Sequence, residues 1–153
     1  MILGYHHTAI ATLDLDRMLA FYRDQLGFTT VLEDGWKAGS ARHDALTQLA
    51  DSEARYAVLR LGATYLELFE FRSPRPRATG SDRPVSDPGL THMAFAVDDI
   101  ETEVARLSEA GVRFHCAPGP PGAMRAVYAR DPEGNVFELI EFCDPGHPFA
   151  FRR

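Results

Sequence analysis

Small and bulky side chains alternate along residues 7–12, and then the period changes: Leu15, Met18, Leu19, Tyr22 and Leu26 recur three or four residues apart. The first pattern predicts a strand covered on one face, the second an amphipathic helix. Asp14 is placed to cap that helix and Gly27 to stop it. Alternating or continuously apolar runs follow at 28–32, 56–61 and 65–71, with Gly62-Ala63 as a hairpin turn. The succession then returns. An alternating stretch begins at His92, and Ile100, Val104 and Leu107 mark a helix with Asp98 or Asp99 as cap and Gly111 as stop. Runs at 112–116, 123–130 and 135–142 complete it, with Asp131-Pro-Glu-Gly134 as the last turn. Each half reads as β-α-β-β-β.

The two halves are related in sequence, and such self-similarity takes precedence over element-by-element reading. Gly4-Tyr-His-His7-Thr-Ala-Ile-Ala lies over Gly89-Leu-Thr-His92-Met-Ala-Phe-Ala, so that His7 falls on His92 at an offset of 85, which is 92 less 7. Tyr65-Leu-Glu67-Leu-Phe-Glu-Phe71 lies over Val136-Phe-Glu138-Leu-Ile-Glu-Phe142, and Glu67 falls on Glu138 at an offset of 71, which is 138 less 67. The first copy is therefore 14 residues longer (85 less 71), and the surplus is expected in the polar, helix-like or loop segment from Glu33 to Arg55. The chain is read as one α+β domain with a first module over 3–71, a Pro-rich linker over 72–88, a second module over 89–142 and an irregular extension over 143–153. Neither module buries much surface alone, so the two small sheets are expected to associate with each other or to swap with a second chain.

A chain of 153 residues that is 45% hydrophobic has enough apolar material for a core without disulfide staples. Its 16 Lys and Arg against 22 Asp and Glu leave a formal net charge of −6, which offers no broad basic face to nucleic acid or anionic membranes. The opening residues lack a signal-like pattern, no stretch is apolar for long enough to span a membrane, and Cys116 and Cys143 show no CxxC spacing. A cytoplasmic protein with two reduced thiols is expected.

Strand periodicity sends His7, Ala9 and Ala11 to one face and Thr8 and Ile10 to the other, and it separates His92, Ala94 and Ala96 from Met93, Phe95 and Val97 in the same way. A histidine followed by two alanines leaves room above each sheet. Glu67 shares its face with Tyr65, Phe69 and Phe71, and Glu138 with Val136, Ile140 and Phe142. An ionised carboxylate among apolar neighbours must protonate, pair or bind a metal, because burial unpartnered costs several kcal/mol. Two imidazoles and two carboxylates make a mixed N/O set that suits Zn, Ni, Co, Mn or Fe(II). Glu70 and Glu141 repeat as well, on the opposite face near strand ends where solvent is expected, so periodicity alone leaves two candidate carboxylates per module. The segment Gly35-Trp-Lys-Ala-Gly-Ser40 with Arg42-His43-Asp44 reads as a surface loop, or alternatively as a lid with Trp36 as an aromatic wall and His43 as a proton carrier. His115 is either pocket lining or rim. Arg42, Arg60, Arg113, Arg125 and Arg130 are read as solvated surface residues.

The segments His7-Thr-Ala-Ile-Ala, Ala20-Phe-Tyr-Arg-Asp-Gln-Leu-Gly-Phe28, His92-Met-Ala-Phe-Ala-Val-Asp-Asp-Ile100 and Asp131-Pro-Glu-Gly-Asn-Val-Phe-Glu-Leu139 resemble the βαβββ modules of the vicinal-oxygen-chelate superfamily. That group includes glyoxalase I, methylmalonyl-CoA epimerase, extradiol dioxygenases, fosfomycin-resistance enzymes and bleomycin-binding proteins. The resemblance implies a curved, barrel-like mixed sheet around a metal cavity with helices outside, and it implies His7, Glu67, His92 and Glu138 as ligands rather than Glu70 or Glu141. A His, Glu, His, Glu set is closest to glyoxalase I and methylmalonyl-CoA epimerase, which implies a divalent-metal-dependent isomerase, epimerase or lyase acting on a small carbonyl or thioester substrate. Glu67 or Glu138 would then move the proton, with Glu138 slightly preferred, and a homodimer is expected. Two other readings stay open: an Fe(II) extradiol-type dioxygenase, told apart by oxygen uptake with catechol, and a metal-free drug-binding protein, told apart by elemental analysis.

Overall fold

The computed structural model describes residues 1–77, 80 and 82–150. Ala78, Thr79 and Ser81 of the expected linker lie outside the described residues, as do residues 151–153 of the expected extension. The chain divides into two compact units, 1–79 and 80–153, each carrying one copy of the repeat.

The first unit runs β1 (His7–Thr12), α1 (Leu15–Leu19) continued by a π-helical turn over Ala20–Gln25, β2 (Thr29–Trp36), α2 (Ala41–Thr47), β3 (Glu53–Leu61) and β4 (Thr64–Ser73). Its sheet has the order β1-β4-β3-β2, with β1 parallel to β4 and the other pairs antiparallel. The predicted alternation holds along β1, where Ile10 and Thr12 are buried and His7, Ala9 and Ala11 are exposed. Leu15, Met18, Leu19 and Tyr22 bury the helical stripe against β3 and β4, whose Ala57, Leu59, Leu66 and Leu68 are buried in turn. Removing Leu15 and Met18 from water contributes roughly 1.5–3 kcal/mol each.

Both ends of that helical segment are fixed by residues the sequence singled out. Asp14 Oδ1 accepts from Arg17 N at 3.0 Å. At the far end Gly27 takes φ +76, a left-handed value that lets Phe28 N donate to Tyr22 O at 3.0 Å, and the Phe28 ring meets Tyr22 edge to face at 5.8 Å.

The surplus residues of the first copy form the outer part of β2 and the whole of α2, so of the two alternatives for this segment the helical one describes 41–47, and the reading of 35–44 as a plain surface loop is corrected. Asp44 ties α2 to the start of β3: its Oδ1 accepts from Ser52 N at 2.8 Å and Ser52 Oγ at 2.7 Å, and its Oδ2 accepts from Asp51 N at 3.0 Å. The Ser52 oxygen in turn accepts from Trp36 Nε1 at 3.0 Å. The Ser52 hydroxyl, above all, and the Ser52 and Asp51 amides hold the Asp44 carboxyl below its ordinary range. Gly35 meets β3 at a point of close approach, where an added Cβ would lie 2.6 Å from Ala54 O.

The second unit contains β5 (Met93–Ala96), α3 (Ile100–Glu109), β6 (Met124–Arg130) and β7 (Val136–Phe142), in a sheet of order β5-β7-β6 with β5 parallel to β7. Asp99 rather than Asp98 caps α3, accepting from Thr102 N at 3.1 Å. The run at 112–116 does not form the expected strand. It is reduced to a single bridge, Phe114 to Ala129, with His115 N donating to Tyr128 O at 2.8 Å. Pro118, Pro120 and Pro121 follow at once, and prolines have no N–H to extend the ladder.

Glu70 and Glu141 are not left to solvent as expected. Glu70 Oε2 accepts from Leu15 N at 2.9 Å, so β4 reaches across to hold the first turn of α1, and it pairs with Arg55 Nε at 3.2 Å. Glu141 lies 3.8 Å from Arg125. Two arginines read as solvated are likewise engaged: Arg125 pairs with Glu101 and donates to Gly119 O at 2.8 Å, and Arg130 donates to Gly134 O at 2.7 Å and Arg83 O at 3.0 Å.

Two expectations follow from these contacts. Glu70→Ala leaves Leu15 N without its acceptor and Arg55 with Asp16 alone, 2.7 Å away, and destabilises the fold by about 1–3 kcal/mol, read as a lower denaturant midpoint; an unchanged midpoint would contradict the anchoring role. Because the folded Asp44 carboxyl titrates below the ordinary aspartate value of 3.8, its contribution is present above that value and is lost as pH falls through the lower folded one. Trp36 emission should change over that acid range in the native chain and stay flat in Asp44→Asn.

Candidate functional site

The parallel pairing of β1 with β4 sets His7 opposite Tyr65 and Ala9 opposite Glu67. His7 and Glu67 project from the same face, and His7 Nε2 lies 3.4 Å from Glu67 Oε2, with the side chains 39% and 24% exposed. The other imidazole nitrogen, Nδ1, is 2.9 Å from His6 Nδ1, so one of the two rings donates there. His6 is itself stacked on Tyr65 at 4.9 Å.

The second unit repeats the arrangement. His92 immediately precedes β5, Ala94 pairs with Glu138 on β7, and His92 Nε2 lies 3.3 Å from Glu138 Oε2, with the side chains 28% and 14% exposed. Tyr128 stands directly opposite Glu138 in the β6–β7 ladder, and its ring is 4.8 Å from that of His92. His115 meets the same tyrosine at 6.2 Å. The buried Nδ1 of His92 has no hydrogen-bond partner. The structure thus brings His7 to Glu67 and His92 to Glu138. Among the described residues no group of three or more His, Cys, Asp and Glu side chains is gathered closely enough to hold an ion.

Beside Glu67 the first unit holds a cavity of about 380 Å³. Its aromatic walls are Trp36, Tyr56, Phe69 and Phe71, and α2 adds His43, Leu46 and Thr47. Trp36 and His43 stack at 4.5 Å with their planes within 6°, and His43 Nδ1 is 2.7 Å from Ser40 Oγ. Tyr65, grouped with Phe69 and Phe71 by periodicity, is not part of the lining; its ring is taken up by His6. Sequence reasoning missed Tyr56, Leu46, Thr47, Tyr128 and His6. Tyr56 faces Phe69 across the β3–β4 pair, and Tyr128 faces Glu138, relations that depend on strand register rather than on any one strand.

No helix among the described residues is long and apolar enough to cross a membrane. The family model described as the glyoxalase/bleomycin resistance protein/dioxygenase superfamily matches residues 4–139. A 2-epi-5-epi-valiolone epimerase from Actinomyces sp. is 35% identical, over 94% of this chain and 81% of that protein. Among solved structures, a glyoxalase family protein from Bacillus cereus aligns with a TM-score of 0.83 at 23% identity, over 93% of this chain and 95% of that one. The fosfomycin resistance protein FosX from Listeria monocytogenes, complexed with Mn(II) and sulfate, aligns with a TM-score of 0.62 at 15% identity, over 92% and 93% of the two chains. With the family model spanning nearly its whole length and a relative of that identity covering most of both chains, this protein belongs to the glyoxalase/bleomycin resistance protein/dioxygenase superfamily.

Proposed function

We propose that this chain is a divalent-metal-dependent isomerase, epimerase or lyase, in which His7, Glu67, His92 and Glu138 hold the ion and a small carbonyl or thioester compound is the substrate. The observation that carries the reading is the repeated His–Glu pair, with Nε2 to Oε2 separations of 3.4 and 3.3 Å. Both are longer than an ordinary N–H···O bond. Two donors each about 2.1 Å from one ion stand about 3.0 Å apart at a right angle and about 3.4 Å apart at the tetrahedral angle, so the spacing suits shared coordination. The donor chemistry fits as well: neutral imidazole and carboxylate suit Zn, Ni, Co, Mn or Fe(II). An unpartnered Nδ1 on His92 is the nitrogen through which an outer partner would orient a ligating ring. The relative named as an epimerase and the neighbour complexed with Mn(II) agree with this reading.

A bound divalent ion would supply positive charge to stabilise negative charge developing on a substrate oxygen. The chain's own residues do the rest. Glu67 borders the cavity, so its carboxylate is the better placed of the two to take a proton from carbon beside a carbonyl, ahead of the Glu138 favoured from sequence. Aromatic walls beside it offer an apolar surface to the rest of the substrate. His7 and His92 hold their glutamates in register, and Tyr128 supports His92 from behind its ring. Homodimerisation is part of the proposal, as is a cytoplasmic setting, to which the free and exposed Cys116 and Cys143 are suited.

His92→Ala should lose bound metal, measured by elemental analysis, while keeping its circular dichroism; a variant retaining stoichiometric metal would sink the ligand assignment. Glu67→Gln should slow proton transfer by about 10²–10⁴-fold, measured as deuterium uptake from solvent at the carbon beside the carbonyl across a panel of hemithioacetals, acyl-CoA esters and hydroxyketones. Undiminished uptake would remove Glu67 from that role.

A further inference from the structure

Phe69, Phe71, Tyr56 and Trp36 are all only partly buried, which sets them apart from the filled core beneath the sheet. Tyr56 stacks on Phe69 at 5.2 Å and Phe69 on Phe71 at 6.1 Å, while Trp36 turns its edge region toward both at 6.2 and 5.9 Å. These rings surround empty space instead of filling it. Among the residues lining the cavity, Glu67 is the sole charged side chain apart from the titratable His43, and no Lys or Arg is present. Such a lining cannot neutralise carboxylates or phosphates, and it has too few polar groups to satisfy a ring bearing many hydroxyls. Trp36 is not free to swing aside, because its Nε1 is bonded to Ser52, which is bonded to Asp44. The lining thus combines a fixed aromatic box, a single polar end at Glu67, and an imidazole whose Nδ1 is already occupied by Ser40.

We propose that this cavity takes an uncharged, largely apolar or aromatic ring of the substrate, with the substrate's oxygens at the Glu67 end and one hydrogen bond available from His43 Nε2. The α2 insertion, absent from the second module, is then the element that sets specificity. This rests on the proposed metal-dependent activity only for the identity of the ring-bearing molecule as substrate; ring binding itself needs neither metal nor turnover.

The chain has one tryptophan, Trp36, so its fluorescence reports on this cavity alone. Titrating the protein as purified with 4-nitrobenzyl alcohol, a neutral quencher, should give saturable quenching, absent with N-acetyltryptophanamide as a control. Cyclohexanol should reverse it, and myo-inositol, a six-membered ring covered in hydroxyls, should not. Leu46 is 79% exposed, so Leu46→Glu leaves folding intact and places a charge at the lining; it should weaken the quencher at least fivefold, as should Phe69→Ala with unchanged circular dichroism. Non-saturable quenching, reversal by myo-inositol as effective as by cyclohexanol, or an unaltered curve in Leu46→Glu would overturn the proposal. Repeating the titration after chelator treatment separates the two readings: quenching that persists without metal upholds the ring site whatever the metal content proves to be, and quenching abolished by chelation would refute a ring site independent of the ion.

Discussion

A carboxylate set on an apolar strand face, next to an imidazole from the neighbouring parallel strand, is the constraint around which each module is arranged. Glu67 and Glu138 sit where burial penalises an unpaired charge, and in both modules the first strand runs parallel to the last, so that its leading histidine arrives beside the glutamate. Parallel pairing requires a crossover, and the helical segment beginning at Leu15 and the helix beginning at Ile100 supply it. Caps, stops and buried stripe therefore serve one outcome: delivering His7 and His92 to their partners at nearly the same distance.

The contrast between Glu67 and Glu70 shows how one strand divides its acids. Three residues apart on β4, they face opposite sides of the sheet. Glu70 turns toward the helix and is consumed by Leu15 N and Arg55; Glu67 turns toward the open face, where an alanine-lined first strand leaves space. Removing the first disturbs the scaffold, and removing the second disturbs only what the scaffold presents.

Much of this was legible in the chain because it repeats. A single histidine near a strand start carries little information, but His7 and His92, with Glu67 and Glu138, recur at matching places, and the turns at Gly62 and Asp131, the caps at Asp14 and Asp99 and the stop at Gly27 follow local rules. Three kinds of feature were hidden. The strand lost at 112–116 has an apolar pattern, and only the prolines beyond it show why pairing fails. The cavity wall at Tyr56 and the place of Tyr128 opposite Glu138 depend on cross-strand register, which alternation does not fix. The helix at Ala41–Thr47 has no apolar stripe and buries none of its residues, so periodicity could not decide between helix and loop there; it is held by the Asp44 contacts to Ser52 and Asp51.

The central proposal is that the two His–Glu pairs hold a divalent ion. X-ray absorption at the metal edge of protein loaded with one equivalent of Zn or Mn addresses it directly. The account predicts a first shell of nitrogen and oxygen only, at about 2.0–2.2 Å, with the outer-shell scattering of two imidazole rings. Sulfur in the first shell, or no imidazole signature, would contradict it.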